Sequence, residues 1–214
     1  MFYCPYASMM NDYYRARQSN SYIRIFHASP DAPPVDVYAN GNLIAKNLTY
    51  KEFTQYIPVS TGSYNITVYP SGQTTNPIIN SNIYIPENAV FNVAAIGNLP
   101  NISLYTIPEP TAAQKFGRPC IRFIHLSPNA PAVDIKLSDG TKVFNNVGYK
   151  DITDYACVPS GTYTFTVSPA GTNNVLLTVP NIRLEPDNYY TIYAVGQVGK
   201  DPTLEVIVVP EPRQ

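Results

Sequence analysis

Apolar and polar positions alternate along most of the chain with a period of two. The clearest case sets Tyr64, Ile66 and Val68 against Asn65, Thr67 and Tyr69. A second stretch sets Tyr163, Phe165 and Val167 against Thr162, Thr164 and Thr166. One face is apolar and the other is Thr or Asn, which is the pattern of a half-buried antiparallel strand. Further strands are predicted at 22–27, 35–39, 53–59, 78–85, 90–96 and 102–107. Turn residues separate them: Ser29-Pro30, Thr61-Gly62, Pro70-Ser71-Gly72, and Asn40-Gly41, the strongest short hairpin signal. Seven or eight short strands with turn signals every 8 to 12 residues, and no helical period, predict an antiparallel β-sandwich.

The pattern occurs twice. Tyr22 to Gly97 and Cys120 to Gly196 carry the same sequence of strands and turns, offset by 98 positions at His27 and His125 and by 99 at Gly97 and Gly196. One inserted residue near Asp139 accounts for the difference, in a loop Ser138-Asp139-Gly140 of the kind that carries a bulge. A repeat of this length is a whole domain, duplicated. The expected organisation is an N-terminal arm at 1–21, sandwich repeats at 22–110 and 119–214, and a linker at 111–118. Each repeat is expected to fold alone. Each closes in Pro-Glu (Pro108-Glu109 and Pro210-Glu211, followed by Pro110 and Pro212), and the prolines of the first are expected to stiffen the linker.

Composition narrows the function. Charged residues make up 14%, against about 25% in an average soluble protein, and the net charge is -1. No basic face speaks for nucleic acid, and no run is long enough to span a membrane. With 18 Tyr and no Trp, the surface must be Tyr, Asn, Thr and Ser, which suits protein contacts. The arm is apolar and aromatic, with Phe2, Tyr3, Tyr6, Met9, Met10, Tyr13 and Tyr14 around Cys4. It lacks a basic n-region and a continuous apolar h-region, so no signal peptide is read and synthesis in a cytoplasm without export by the usual route is expected. Cys120 and Cys157 align with Tyr22 and Pro58 and lie outside the shared plan. No CxxC spacing suggests zinc. Either the three thiols are unpaired, or Cys4 crosslinks to Cys120 or Cys157 of a neighbouring copy.

The block His27-Ala28-Ser29-Pro30-Asp31-Ala32-Pro33-Pro34-Val35-Asp36 recurs as His125-Leu126-Ser127-Pro128-Asn129-Ala130-Pro131-Ala132-Val133-Asp134. His, Ser and Asp together invite a hydrolase reading, but Ser-Pro is a turn former and no Gly-x-Ser-x-Gly accompanies it. His27 continues the apolar row Ile23, Ile25, and His125 the row Ile121, Phe123. Each is therefore expected to be a half-buried packing residue bonded to turn backbone or to Asp36 and Asp134. No catalytic residue, metal or cofactor is expected. This H-x-S-P-x-A-P-x-V-D block resembles the DUF4397 family, a domain of unknown function often found in tandem in bacterial envelope proteins. The resemblance implies an immunoglobulin-like sandwich and no activity. The layout, a sandwich with an N-terminal cysteine-bearing connector, is similar to that of endospore appendage subunits.

These readings predict a non-enzymatic structural protein of a bacterial spore or cell surface. It would assemble into a homo-oligomer or polymer through Phe2, Tyr3, Cys4, Tyr6, Tyr13 and Tyr14. The alternative is an envelope adhesin that recognises a glycan or protein ligand. Zero Trp weighs against sugar stacking, as does the recurrence of Tyr56, Tyr64, Tyr155 and Tyr163 at strand positions in both copies, which favours core packing.

Overall fold

The computed structural model describes residues 21–110 and 117–211. The arm residues 2–14 named above and most of the linker lie outside these described residues. Among the described residues, sixteen strands and no helix form two similar halves. In the first half the strands are β1 (Ser21–His27), β2 (Val35–Ala39), β3 (Asn42–Leu48), β4 (Ile57–Val59), β5 (Gly62–Pro70), β6 (Ile79–Ile85), β7 (Val90–Ile96) and β8 (Ser103–Glu109). The second half repeats them as β9 (Cys120–His125), β10 (Val133–Leu137), β11 (Lys142–Val147), β12 (Ala156–Cys157), β13 (Gly161–Pro169), β14 (Leu177–Leu184), β15 (Tyr189–Val195) and β16 (Glu205–Pro210).

Each half is a sandwich of two four-stranded sheets. An inner sheet runs β4-β1-β7-β8, or β12-β9-β15-β16, and an outer sheet runs β3-β2-β5-β6, or β11-β10-β13-β14. The predicted hairpin forms at Asn40-Gly41, where both residues take positive φ (48° and 79°), as a primed turn requires. One feature departs from an all-antiparallel expectation. β1 pairs parallel with β7, and β9 with β15. A parallel pair needs a long crossover connection, and here the rest of the half supplies it.

Ile23, Ile25, Val37, Ile66, Val68 and Val93 fill the core of the first half. Ile121, Phe123, Ile135, Phe165, Val167 and Ile192 fill that of the second. A third core spans both: Phe26, Ala94, Ile96 and Ile107 pack with Ile124, Leu126, Tyr193 and Val195. The inner strands β1, β7, β9 and β15 are thus buried on both faces. Residues of one parity face their own sandwich and those of the other parity face the partner sandwich. The two halves share a seam, a feature that independent folding of each repeat leaves out.

Candidate functional site

The repeated motif turns out to be a set of loop staples. His27 and His125 are fully buried rather than half-buried, with 1% and 0% exposure. Nε2 of His27 lies 3.1 Å from the Pro33 carbonyl, and Nε2 of His125 lies 3.1 Å from that of Pro131. Burial holds both imidazoles below the usual histidine pKa. Neither bonds to Asp36 or Asp134. Those carboxylates instead accept from backbone N–H groups of neighbouring turns: Asp36 from Asn47 and Gly72, Asp134 from Asn146 and Gly171. Asn47 and Asn146 sit at positive φ in bulges, so their N–H groups leave the ladder and need another acceptor. These bonds favour the ionised carboxylates. Asp134, which also accepts from Lys142 at 2.7 Å, is lowered to about 2.

The motif serines close the opposite turn. Ser29 Oγ donates to the Gly97 carbonyl, and Ser127 Oγ donates to that of Gly196 at 2.7 Å. A Cβ at Gly97 would lie 2.6 Å from the Asn101 carbonyl oxygen, and one at Gly196 would lie 2.1 Å from that of Thr203. Only glycine fits these two turns. His and Ser are therefore each committed to backbone, and no nucleophile and base are brought together in the motif.

Along the seam, the Glu residues of the two Pro-Glu-Pro segments are buried ion-pair partners, a role that sequence reasoning missed. Arg24 meets Glu109 at 2.7 Å and Arg122 meets Glu211 at 3.0 Å. Tyr56 also donates to Glu109, and Thr191 to Glu211. The Arg24 guanidinium lies over the rings of Phe53 and Tyr56, and that of Arg122 over Tyr155. Burial, with Glu211 nearby, raises the Glu109 carboxyl above the usual range. Bonds cross between the halves from Asn92 Nδ2 to Tyr193 Oη at 2.9 Å and from Arg122 to the Pro108 carbonyl at 2.7 Å.

The cysteines are resolved in the second half. Cys120 and Cys157 face each other on β9 and β12 and form a disulfide. This corrects the expectation that either thiol is free to bond Cys4 of a neighbour. In the first half the same cross-strand pair is Tyr22 and Pro58. Among the described residues no group of three His, Cys, Asp or Glu is placed to hold a metal, and no helix is long and apolar enough to cross a membrane.

The outer sheet of the first half carries a different chemistry. Residues opposite in parity to the core project outward: Tyr38 from β2, Asn65, Thr67 and Tyr69 from β5, and Asn80, Asn82 and Tyr84 from β6. Tyr38 and Tyr69 meet edge to face at 5.6 Å. Tyr84, 65% exposed, stands at the other end of the sheet opposite Ser63. Between them lies an amide cluster. Asn65 Nδ2 donates to Asn80 Oδ1 at 2.8 Å and to Asn82 Oδ1 at 3.0 Å, while Thr67 donates to Asn65 Oδ1. The NH2 groups of Asn80 and Asn82 are left for solvent or a ligand. Ser63 to Tyr69 covers seven residues of β5, about 20 Å of extended strand. These outward tyrosines, Tyr84 exposed and Tyr38 and Tyr69 half-buried, do not recur: the matching positions are Lys136, Ser168 and Arg183. Recurrence in both copies holds for the packed tyrosines, such as Tyr56 and Tyr155, and it hid the surface ones.

No curated protein matches the sequence. Among solved structures, a family 26 carbohydrate-binding module of Eubacterium rectale Amy13K, in complex with maltoheptaose, aligns over 88% of this chain and 96% of that one. The identity is 10% and the TM-score 0.28. A streptococcal virulence factor described by its alpha-glucan binding aligns over 81% and 92%, at 12% identity and a TM-score of 0.27. At these scores the overlap carries no argument about the ligand. The family profile described as "Domain of unknown function (DUF4397)" matches residues 21–136 and 137–214. With nearly every described strand inside those two consecutive matches, the chain belongs to the DUF4397 family, in tandem.

Proposed function

We propose that this protein is a non-catalytic binding protein that takes a neutral oligosaccharide or polysaccharide along the outer face of its first half. The carrying observation is the uncharged row in which the Tyr38–Tyr69 pair and Tyr84 flank the Asn65, Asn80 and Asn82 amides. Aromatic faces stack on the C–H faces of sugars, and side-chain amides both donate to and accept from hydroxyl groups. A ligand without charge matches the uncharged side chains of this row. The tyrosines have only two side-chain torsions to fix, so ordering them costs little. The Cys120–Cys157 disulfide supports a location outside a reducing cytosol, and a bacterial spore or cell surface is our reading of that location.

Affinity electrophoresis through gels containing soluble starch, xylan or the acidic polymer polygalacturonate tests the proposal. Retardation by at least one neutral polymer is expected, lost in Tyr69→Ala and Tyr84→Ala and retained in Lys136→Ala and Arg183→Ala. No retardation by either neutral polymer, or retardation that survives both tyrosine changes, would sink it.

A further inference from the structure

Every open sheet has two edges, and an edge strand presents unpaired N–H and C=O groups that invite another strand. Among the described residues the four sheets give eight edge strands: β3, β4, β6, β8, β11, β12, β14 and β16. Seven carry a blunting device. β3 and β11 are bulged and carry Lys46 and Lys142. β4 is three residues long and contains Pro58, while β12 is two residues long and closed by the disulfide. β8 ends in Pro108-Glu109, and β16 begins with Glu205 and ends with Pro210. β14 contains Pro180, Asn181 at positive φ, Arg183 and a register shift.

β6 has none of these. Its sequence INSNIYI contains no charge and no proline, and it runs in unbroken register against β5 from Gly62↔Ile85 to Val68↔Ile79. The direction of its backbone groups follows from β5. Asn65 receives the Asn40 N–H on its carbonyl and donates its own N–H to Asn40 Oδ1, so Asn65 faces β2. Tyr64, Ile66 and Val68 therefore bond to β6 through Ile83, Ser81 and Ile79. The N–H and C=O groups of Asn80, Asn82 and Tyr84 then point away from the sheet.

We propose that β6 pairs antiparallel with β6 of a second copy of this chain, about a two-fold axis at Asn82. The segment is self-complementary in that register. Asn82 meets Asn82 of the other copy, Tyr84 meets Asn80, Ile83 meets Ser81 and Ile85 meets Ile79. Apolar positions stay on the sandwich side and Asn and Tyr positions on the outer side, because antiparallel pairing keeps opposed residues on one face. No like charges are opposed anywhere in the contact. An isologous pair of this kind closes as a dimer. The two outer sheets run into one, and the two Tyr and Asn faces become one continuous surface. The proposal stands on the edge itself and is independent of any glycan.

The test is light scattering coupled to size exclusion over a range of concentrations, with the full chain carrying Cys4→Ser so that no link through that thiol contributes. A dimer is expected, converting to monomer in Ser81→Lys, which places a charge in the exposed edge, and in Asn82→Pro, which removes an outward donor while leaving the backbone bonds to β5. Circular dichroism and thermal melts should show both variants folded. In the same background, Asn82→Cys should crosslink under air, and Thr178→Cys on the sister edge β14 should not. A chain that stays monomeric at every concentration overturns the proposal. So does a dimer that persists in both edge variants, or one lost only when residues 2–20 are deleted.

Discussion

The two halves agree in their buried ion pairs and loop staples and differ on the outer faces that meet solvent. At the seam, Arg24 and Glu109 have their counterparts in Arg122 and Glu211, and among the loop staples His27, Ser29 and Asp36 have theirs in His125, Ser127 and Asp134. On the outer sheets, Tyr38, Tyr69 and Tyr84 stand where the second half has Lys136, Ser168 and Arg183. The edge strand β6 is open, and β14 is blunted by proline, charge and a bulge. Position by position, the shared residues build the sandwich and its partner contact. The unshared residues of the first outer sheet sit where a ligand or a second copy could reach them. The second half has its own unshared feature, a disulfide in place of Tyr22 and Pro58, and this is stabilising rather than recognising.

The largest effect should come from breaking what the halves share. Arg24→Ala leaves Glu109 buried without its cation, and a loss of about 3–5 kcal/mol is expected in chemical denaturation. Arg24→Met with Glu109→Gln should recover much of that loss. A cost near zero for Arg24→Ala would show that the seam does not hold the fold.

Breaking what the halves do not share should cost less and act on one side. Cys157→Ser removes the cross-link between positions 120 and 157, for an expected loss of about 2–4 kcal/mol. Pro58→Ser at the matching site should stay within about 0.5 kcal/mol, as surface changes usually do. Equal losses at the two sites would contradict the asymmetry.

Tyr193→Phe sharpens the comparison at the seam, because it removes the partner of the buried Asn92 amide without changing the packing around Phe26 and Phe53. An unsatisfied buried donor costs about 1–3 kcal/mol. Its counterpart in the first half is Ala94, which has no hydroxyl to lose.

The smallest effect is on pH. Both motif imidazoles are harder to protonate in the folded protein than the ordinary value of 6.5, because they are buried. The unfolded chain therefore takes up these protons first, and stability should fall as pH is lowered from 6.5 toward the histidines' lowered pKa values. Glu109 works in the opposite sense, since its raised carboxyl takes up a proton more readily when folded. The histidine part is isolated by comparing wild type with His27→Gln and His125→Gln, whose melting temperatures should depend less on pH between 7 and 5. Identical slopes would remove the histidines from the account.

Much of the fold was legible in the chain. Asn40-Gly41 announced its hairpin, and the alternation of Tyr64, Ile66 and Val68 announced β5 and its buried side. Parallel pairing of β1 with β7 carries no local signal, since it depends on which distant strands meet. The seam had one signal: Val90–Ile96 and Tyr189–Val195 do not alternate, and near-continuous apolar runs mark strands covered on both faces. Arg24 in Ile-Arg-Ile and Glu109 between prolines argue locally for exposure, so their burial as a pair could not be read from either segment alone. The outer face was readable as polar. Its two halves had to be set side by side in register before Tyr38, Tyr69 and Tyr84 separated from the packed tyrosines.

The central claim is that the first outer face binds a neutral glycan and the second does not. Amide chemical-shift mapping of the labelled full chain, during titration with the polysaccharide that retards it, tests this most directly. Perturbations should concentrate at 36–38, 63–69 and 80–84 and leave 134–136, 162–168 and 178–183 unchanged. Shifts centred on the second outer sheet, or spread along the seam, would contradict the account.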